Sequence, residues 1–307
     1  SISFIMLSIL IPVFNYSVSR LVGELHRQAL QLFIDFEIIV MEDGSNEYLE
    51  ENRQIDKLSR CRYVVLEKNI GRSAIRNRLA DMAKYGHLLF LDCDAEVCSA
   101  YFVEKYVSFC REESVVVGGT AYDENFNDPA YSLRLKYGRL REARPATLRN
   151  KLELSGKSNF SAFNFLIAKS IFNRIRFDET ISGYGHEDTL FGHRIHELGF
   201  NVFHIDNPLI HKGLDDNPTF LFKTEEGIRN LYYLYKTGRY PFLAKESSLL
   251  NSFLTLKKLS LIEFFSFLYR IFRKSIYANL CSSNPSLILF DFYKLLYFCN
   301  YSQKMTR

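Results

Sequence analysis

Short apolar runs alternate with helical patterns through residues 7–94 of this 307-residue chain. The runs that predict buried strands are LSILIPVF (7–14), FEIIVMEDGS (36–45), CRYVVLEKN (61–69) and HLLFLDCD (87–94). Residues 17–32 and 72–85 carry apolar side chains at helical spacing. Strands that are apolar throughout are covered on both faces, and alternation with helices is typical of parallel strands. The pattern therefore predicts an α/β fold whose mostly parallel sheet is flanked by helices.

The carboxyl ends of these strands define where a ligand would bind. Open sheets of parallel strands bind ligands in the crevice beyond the carboxyl ends. The four predicted strands end at Phe14, Asp43, Asn69 and Asp92. We expect these four ends to meet at one crevice.

Two carboxylates, Asp92 and Asp94, follow the fourth strand in the stretch LDCDAEV. Neighbouring carboxylates raise each other's pKa, and a divalent cation between them removes that cost. Oxygen ligands suit Mg²⁺ or Mn²⁺, and these ions commonly bind phosphate as well. The alternative is that Asp92 caps the following helix while Asp94 is solvated. The position at a strand end, inside the ligand crevice, favours the metal.

Two further stretches belong to the same edge of the predicted sheet. EDGS (42–45) is a second acidic strand end, which a simple Asp-Gly turn would also explain. NIGRSAIRN (69–77) is a glycine turn that opens a basic helix, so its amide N–H groups and Arg72 or Arg76 could meet a diphosphate. Neither GxGxxG nor the GK[ST] of a P-loop is present. A basic surface face is the other interpretation of those arginines.

Taken in order, IPVFNY, EDGS, NIGRSAIRN and LDCDAEV resemble the nucleotide-sugar-binding half of the family 2 glycosyltransferases of the GT-A fold. GYGHEDTLFGHRI (183–195) is similar to the G-x-G-x-E-D acceptor motif of the galactosyltransferase-like and chondroitin-polymerase-like members. The resemblance extends over residues 5–236. This sequence differs from the family pattern at two positions, with Glu42 in place of the commoner Asp and His186 in place of a Gly.

The resemblance implies a role for each matching residue. The nucleotide sugar is expected to contact Pro12, Phe14, Asp43, Arg76, Asp92 and Cys93. Within that set, Asp43 is expected to bind the base, most naturally uracil, and Asp92 the ribose or the water shell of the metal. Mn²⁺ or Mg²⁺ is expected on Asp94 and His211. Asp188 is expected to be the catalytic base, with Glu187 binding sugar hydroxyls; helix capping is the alternative for both acids.

These roles imply an inverting, metal-dependent glycosyltransferase that moves a sugar from a UDP-sugar donor to a glycan or lipid-linked glycan acceptor, as in bacterial surface polysaccharide synthesis. A sugar nucleotidyltransferase is a second hypothesis, although it would favour a Gly-rich basic loop after the first strand, and IPVFNYSVS has none. A non-catalytic, membrane-associated glycan-binding protein is a third.

The excess positive charge lies at the C-terminal end. The net charge of +4 is too small to indicate nucleic acid, but residues 241–307 hold nine Lys or Arg against three acids. We predict a catalytic domain over residues 1–240 and a helical extension over 241–307. The extension is interpreted as a peripheral membrane contact, a cap on the catalytic domain, or a homodimer contact. The basic stretch 134–149 is expected to receive acceptor phosphates.

Six cysteines without a CxxC pair predict free thiols and a cytoplasmic protein, either free or peripheral at the inner face of the membrane. Residues 7–14 are interpreted as a core strand rather than as part of a signal peptide, because no basic n-region precedes them.

Overall fold

The computed structural model describes residues 5–110, 113–156, 158–181 and 185–306. Within them the chain divides into two compact units. The first falls in the ranges 1–123, 142–182 and 187–213, and the second in 124–141, 183–186 and 214–307. The boundary predicted at residue 240 falls within the second unit, and a domain division at that residue stays a prediction.

The first unit is built on a mixed sheet. In the described part of the chain, seven strands form this sheet in the order β3-β2-β1-β4-β8-β6-β9. Their bounds are β1 Met6–Val13, β2 Asp35–Glu42, β3 Cys61–Val65, β4 His87–Leu91, β6 Val115–Val117, β8 Asn164–Ala168 and β9 Phe203–His204. The pairings of β1 with β2 and β4, of β2 with β3 and of β6 with β9 are parallel. Only β8 runs antiparallel to its neighbours β4 and β6 among these described strands.

Helices cover both faces of this sheet. The helices of the unit are α1 Ser19–Leu30, α2 Leu49–Asn52, α3 Arg72–Met82, α4 Phe102–Val107, α6 Ala146–Leu154, α7 Lys169–Ile175 and α8 Glu187–Glu197. Successive strand residues point to opposite faces. Leu10 therefore packs in the cluster that contains residues of α3, α7 and α8, whereas Ile9 and Ile11 pack in the cluster with residues of α1 and α4. The predicted layering, with strands covered on both sides, is confirmed.

A second, three-stranded sheet lies in the same unit of the described chain, in the order β5-β10-β7. Its strands are β5 Ala95–Val97, β7 Thr120–Ala121 and β10 Leu209–His211. β10 pairs antiparallel with β5 and parallel with β7. Because β5 follows Asp94 directly, its pairing with β10 determines which residues from distant parts of the sequence lie near the Asp94 carboxylate.

The second unit is helical over its described residues. It contains α5 Ser132–Tyr137, α9 Asn217–Thr237, α10 Leu243–Glu246, α11 Ser248–Lys258, α12 Ile262–Leu280 and α13 Leu287–Thr306. A short 3₁₀ helix, Pro129–Tyr131, also lies in this unit, and a second one, Arg53–Lys57, lies in the first unit. A π-helical turn spans Gly138–Glu142. The helical C-terminal region is as predicted. None of the helices described is both long and apolar enough to cross a bilayer.

Candidate active site

A pocket of about 420 Å³ lies at the carboxyl ends of β1, β2 and β4. It is lined by Pro12, Val13, Phe14, Tyr16, Asp43, Asn69, Gly71, Arg72, Ile75, Arg76, Asp92, Cys93, Asp94 and Gly213. All six residues predicted to contact a nucleotide sugar are in this lining, together with Asp94. Asn69, expected at the crevice as a strand end, also lines the pocket. The sequence did not indicate Tyr16 and Gly213 as wall residues. Tyr16 lies three residues after the end of β1, and this proximity to a strand end was the available signal.

The carboxylate of Asp43 joins the end of β2 to the turn that opens α3. It is buried, and its oxygens accept from the backbone N–H groups of Ile70 at 2.6 Å and Gly71 at 3.1 Å. The Asp43 N–H in turn donates to the Val13 carbonyl at 2.7 Å. A carboxylate has about four acceptor positions. Asp43 therefore links the end of β2 to the turn before α3, and its carboxylate can still accept hydrogen bonds from a ligand.

Glu42, the departure from the commoner Asp, has a structural role. Its buried carboxylate accepts from Ser45 Oγ at 2.5 Å, Asn52 Nδ2 at 2.8 Å and Tyr63 Oη at 3.0 Å. Gly44 follows with φ of 69°, and a Cβ there would collide with the backbone of Asn69. The EDGS turn is thus packed directly onto the loop that precedes α3.

A buried arginine faces the carboxylates. Arg76 Nη2 donates to Asp92 Oδ1 at 2.7 Å, and the guanidinium lies 5.3 Å from the centre of the Phe177 ring. Among the described residues, its Nε and Nη1 atoms have no hydrogen-bond acceptor. Burial opposes the charge of Arg76, but the carboxylates of Asp92, Asp188 and Glu187 outweigh burial and raise its pKa. The pocket wall therefore contains a permanent cation whose Nε and Nη1 atoms can donate hydrogen bonds to a ligand.

Asp94 and His211 meet through the three-stranded sheet. The register of β5 with β10 places His211 opposite Ala95, and His211 Nε2 lies 3.0 Å from Asp94 Oδ2. The Lys212 N–H donates to the Asp94 carbonyl at 2.8 Å. Gly213 passes so close that an added Cβ would lie 2.7 Å from the Asp94 Cβ. Lys212 and Gly213, which follow β10, thus pack directly against Asp94.

The pair Asp94 and His211 fits a divalent metal in part. Carboxylate oxygen suits Mg²⁺ and Mn²⁺, and imidazole is a ligand of transition metals. Within the residues that the structure describes, no group of three or more His, Cys, Asp or Glu is arranged to hold a metal ion. Asp94 and His211 are thus two candidate ligands, and phosphate and water commonly complete the coordination of such ions.

Asp188 and Glu187 open helix α8, and their partners lie outside that helix. Asp188 Oδ2 accepts from the Ala162 N–H at 2.9 Å, and Glu187 Oε1 lies 3.5 Å from Arg72 Nη1. Burial and the charge of Glu187 raise the pKa of Asp188 to about 7, although Arg76 and the Ala162 N–H act in the opposite direction. Asp188 is thus a carboxyl group that titrates near neutral pH.

A single short segment connects the two groups of carboxylates. The Ala162 N–H binds Asp188, while the Phe163 carbonyl accepts from the Asp92 N–H at 3.1 Å. The segment lies at this edge because β8 is antiparallel to β4, with Asn164 opposite Leu91. The first residues before β8 therefore meet the carboxyl end of β4.

Part of the predicted acceptor motif lies outside the described residues, namely Gly183 and Tyr184. His186 has φ of 75°, a region that favours glycine, and its Nε2 lies 2.9 Å from the Gly227 carbonyl oxygen in α9. The positive φ gives a physical reason for the Gly that is common at this position.

The expectation that the stretch 134–149 receives acceptor phosphates is wrong for its two ends. In the first unit Arg149 is buried and donates to the carbonyls of Val117, Gly118 and Ile205. In the second unit Arg134 is buried, with its guanidinium over the Phe220 ring. Both arginines are therefore buried rather than exposed on the surface.

Comparisons with known proteins agree with this architecture. The family model described as glycosyl transferase family 2 matches residues 8–176. Chondroitin synthase from Escherichia coli is 26% identical over 225 residues, which cover 63% of this chain and 32% of that protein. The chain therefore spans about a third of the length of this relative.

Among solved structures, the mannosyltransferase PcManGT from Pyrobaculum calidifontis, in complex with GDP-Man and Mn²⁺, superposes with a TM-score of 0.59 at 11% identity. The match covers 97% of this chain and 86% of that one. At this identity the likeness is one of fold.

Proposed function

This chain belongs to glycosyl transferase family 2 and has the GT-A fold, and from that premise we propose that it transfers a sugar from a UDP-sugar to the hydroxyl of a glycan or lipid-linked glycan, with inversion at the anomeric carbon. The observation that supports this reaction best is the pocket itself. Asp43, Asp92 and Asp94 come from the ends of two strands and line it together with the buried cation Arg76. A nucleoside diphosphate bound with a divalent metal requires both kinds of charge.

The nucleoside is proposed to lie against β1 and β2. Phe14 is 52% exposed at the pocket and offers a flat apolar surface to the base, with Pro12 beside it. Asp43 is positioned by the Ile70 and Gly71 amides and can accept from a base N–H. Burial raises the pKa of the Cys93 thiol, so it stays protonated and is a wall residue rather than a nucleophile.

Asp94 and His211 would hold the metal. When bound, Mn²⁺ or Mg²⁺ neutralises the charge that develops on the departing diphosphate. Arg76 is proposed to share that task, since its Nε and Nη1 atoms have no acceptor among the described residues and its Nη2 is held by Asp92 at 2.7 Å. Asp92 would in turn meet the ribose or the water around the metal.

Asp188 is proposed as the general base. The acceptor oxygen forms a bond to the anomeric carbon as the bond from that carbon to the phosphate oxygen breaks, and the hydroxyl proton moves to the Asp188 carboxylate. A base with a pKa near 7 is well matched to a neutral medium. A single displacement of this kind inverts the anomeric centre. Glu187, held by Arg72, is placed to bind sugar hydroxyls.

Similarity to chondroitin synthase supports a glycan acceptor and a setting in bacterial surface polysaccharide synthesis. A panel of UDP-sugars, with GDP-mannose included because PcManGT binds GDP-Man, would be incubated with acceptor glycans in Mn²⁺, in Mg²⁺ and in EDTA. We expect UDP release that depends on metal and acceptor, and a product of inverted configuration by proton NMR.

The rival hypotheses give different results in the same assay. A sugar nucleotidyltransferase would release pyrophosphate from UTP and a sugar 1-phosphate. A glycan-binding protein without activity would bind glycan and release no nucleotide from any donor. Either result would overturn the proposal.

A further inference from the structure

Helix α12 in the second unit is apolar on two opposite faces. Its inner face packs on α13, where the Tyr269 ring lies 6.0 Å from Tyr293 and 5.8 Å from Tyr297. On the outer side, Phe264, Phe267 and Ile271 are 54%, 51% and 52% exposed. A helix on the surface of a water-soluble domain normally has one apolar face. Packing within the second unit therefore does not explain why the outer face of α12 is apolar.

The outer face continues into the preceding turn. Leu259 and Leu261 are exposed and come directly before the helix. We define the outer strip as Leu259, Leu261, Phe264, Phe267 and Ile271. These side chains follow one another along the turn and along one side of the helix, with spacings of three and four residues in α12.

The sequence around the outer strip is basic, and the Arg270 guanidinium lies 6.0 Å from the centre of the Phe267 ring. Residues 257–274 contain exposed basic side chains at Lys257, Lys258, Arg270, Arg273 and Lys274. Glu263 is the one acid in that stretch of the sequence. The surface thus combines large apolar side chains with a net charge of +4 over eighteen residues.

We propose that the outer strip docks on a membrane surface that contains anionic lipid, with α12 parallel to the bilayer plane. Phe and Leu side chains enter the boundary between headgroups and acyl chains, while Lys and Arg reach the phosphates with their long side chains. Each basic group near an anionic surface adds to the attraction. An anionic bilayer is the partner that satisfies both the charge and the apolar area.

Charge argues against a second copy of the chain on this face. A two-fold dimer brings the same patch of both protomers together, so the basic side chains beside the strip, such as Arg270, would oppose their own copies. Nucleic acid would match the charge but would leave the five apolar side chains in water. The inference does not rest on the proposed reaction, because membrane binding is measured without donor or acceptor.

The test is flotation of the purified chain with vesicles of phosphatidylcholine, alone or mixed with phosphatidylglycerol. We expect binding to the mixed vesicles only, and release by high salt. Phe264→Ser combined with Phe267→Ser is expected to lower the partition coefficient about tenfold or more. Arg270→Gln combined with Lys274→Gln is expected to lower it about thirtyfold. Phe33→Ser is the control, because Phe33 is 99% exposed in the first unit and is expected to leave binding unchanged.

A second measurement uses the absence of tryptophan from the sequence. Phe267→Trp gives a single indole whose emission is expected to shift to the blue with mixed vesicles, whereas Phe33→Trp shows no shift. Failure of the chain to float with mixed vesicles would overturn the proposal. So would a dimer in light scattering that the Phe264→Ser, Phe267→Ser variant converts to monomer, since the occupant would then be a second copy.

Discussion

The imidazole Nε2 of His211 lies 3.0 Å from the Oδ2 atom of Asp94, although 117 residues separate the two in the sequence. The contact depends on β5 and β10, strands of three residues each, whose register puts His211 opposite the residue after Asp94. The proposed metal site therefore depends on the pairing of β5 with β10.

Asp94→Ala is expected to abolish the metal-dependent part of UDP binding, because it removes one of the two proposed protein ligands. His211→Ala is expected to weaken Mn²⁺-dependent UDP binding, because it removes the other proposed ligand. Calorimetric titration of UDP with Mn²⁺ and with EDTA measures both effects. Asp35→Ala, an exposed carboxylate at the start of β2, is the control. Unchanged Mn²⁺-dependent binding in Asp94→Ala would exclude this residue as a ligand.

Asp188→Ala is expected to keep UDP binding and to lower the rate of transfer by about 10² to 10⁴. For the unmodified protein, kcat/KM is expected to fall as the pH drops below about 7, because protonated Asp188 cannot accept the acceptor proton. A pH–rate profile checks the second point. Normal turnover by Asp188→Ala would disprove the assignment of the base.

Arg76→Met is expected to move the acid limb of the same profile to higher pH. The positive charge of Arg76 lowers the pKa of Asp188, so its loss raises that pKa further. Arg78→Met, on the exposed side of α3, is the matched control and should leave the limb in place. If both variants gave the pH–rate profile of the unmodified protein, the charge of Arg76 would have no effect on the pKa of Asp188.

Asp188→Asn is expected to raise the melting temperature at pH 8. A carboxyl whose pKa is raised to about 7 in the folded state binds its proton more tightly there than in the unfolded chain. It therefore destabilises the fold increasingly as the pH rises from about 4 to 7. The gain from the substitution is largest above pH 7 and shrinks towards pH 4. Thermal denaturation at several pH values in EDTA measures it, and a gain independent of pH would contradict the explanation.

Gly213→Ala is expected to weaken Mn²⁺-dependent UDP binding, because its Cβ would press on the Asp94 carboxylate. The matched control is Gly23→Ala in the middle of α1, where an added Cβ meets nothing within 4 Å. That control is expected to stabilise the fold by about 0.5–1 kcal/mol and to leave binding intact. Binding unaffected by Gly213→Ala would show that the Asp94 side chain adapts.

Much of the first unit could be predicted from the sequence. The run 7–14 is β1 Met6–Val13, and the pattern at 72–85 is α3 Arg72–Met82. β1 is a continuous apolar run, and α3 has Ile75, Leu79 and Met82 at helical spacing, so both elements have a clear pattern in the sequence. The convergence of strand ends followed from the rule for parallel sheets, and Asp43 and Asp92 line one pocket as expected.

Other features lie beyond a periodicity argument. β5, β7 and β10 span two or three residues each, which is too short for a pattern, yet they bring His211 to Asp94. The same limit applies to Arg149, whose charge suggested a surface position although it donates to buried carbonyls. Whether an acidic or basic side chain is buried depends on its contacts with distant segments, and the local sequence does not identify those segments.

The two carboxylates proposed for donor and acceptor chemistry are tied to adjacent residues, Asp188 to Ala162 and the Asp92 backbone to Phe163. The surroundings of the two carboxylates are therefore coupled through two consecutive residues. An insertion between Ala162 and Phe163 would separate the two hydrogen bonds by a further residue. Loops that lie away from this edge can change in length while both hydrogen bonds remain, so such loops can vary in evolution without a change at these two residues.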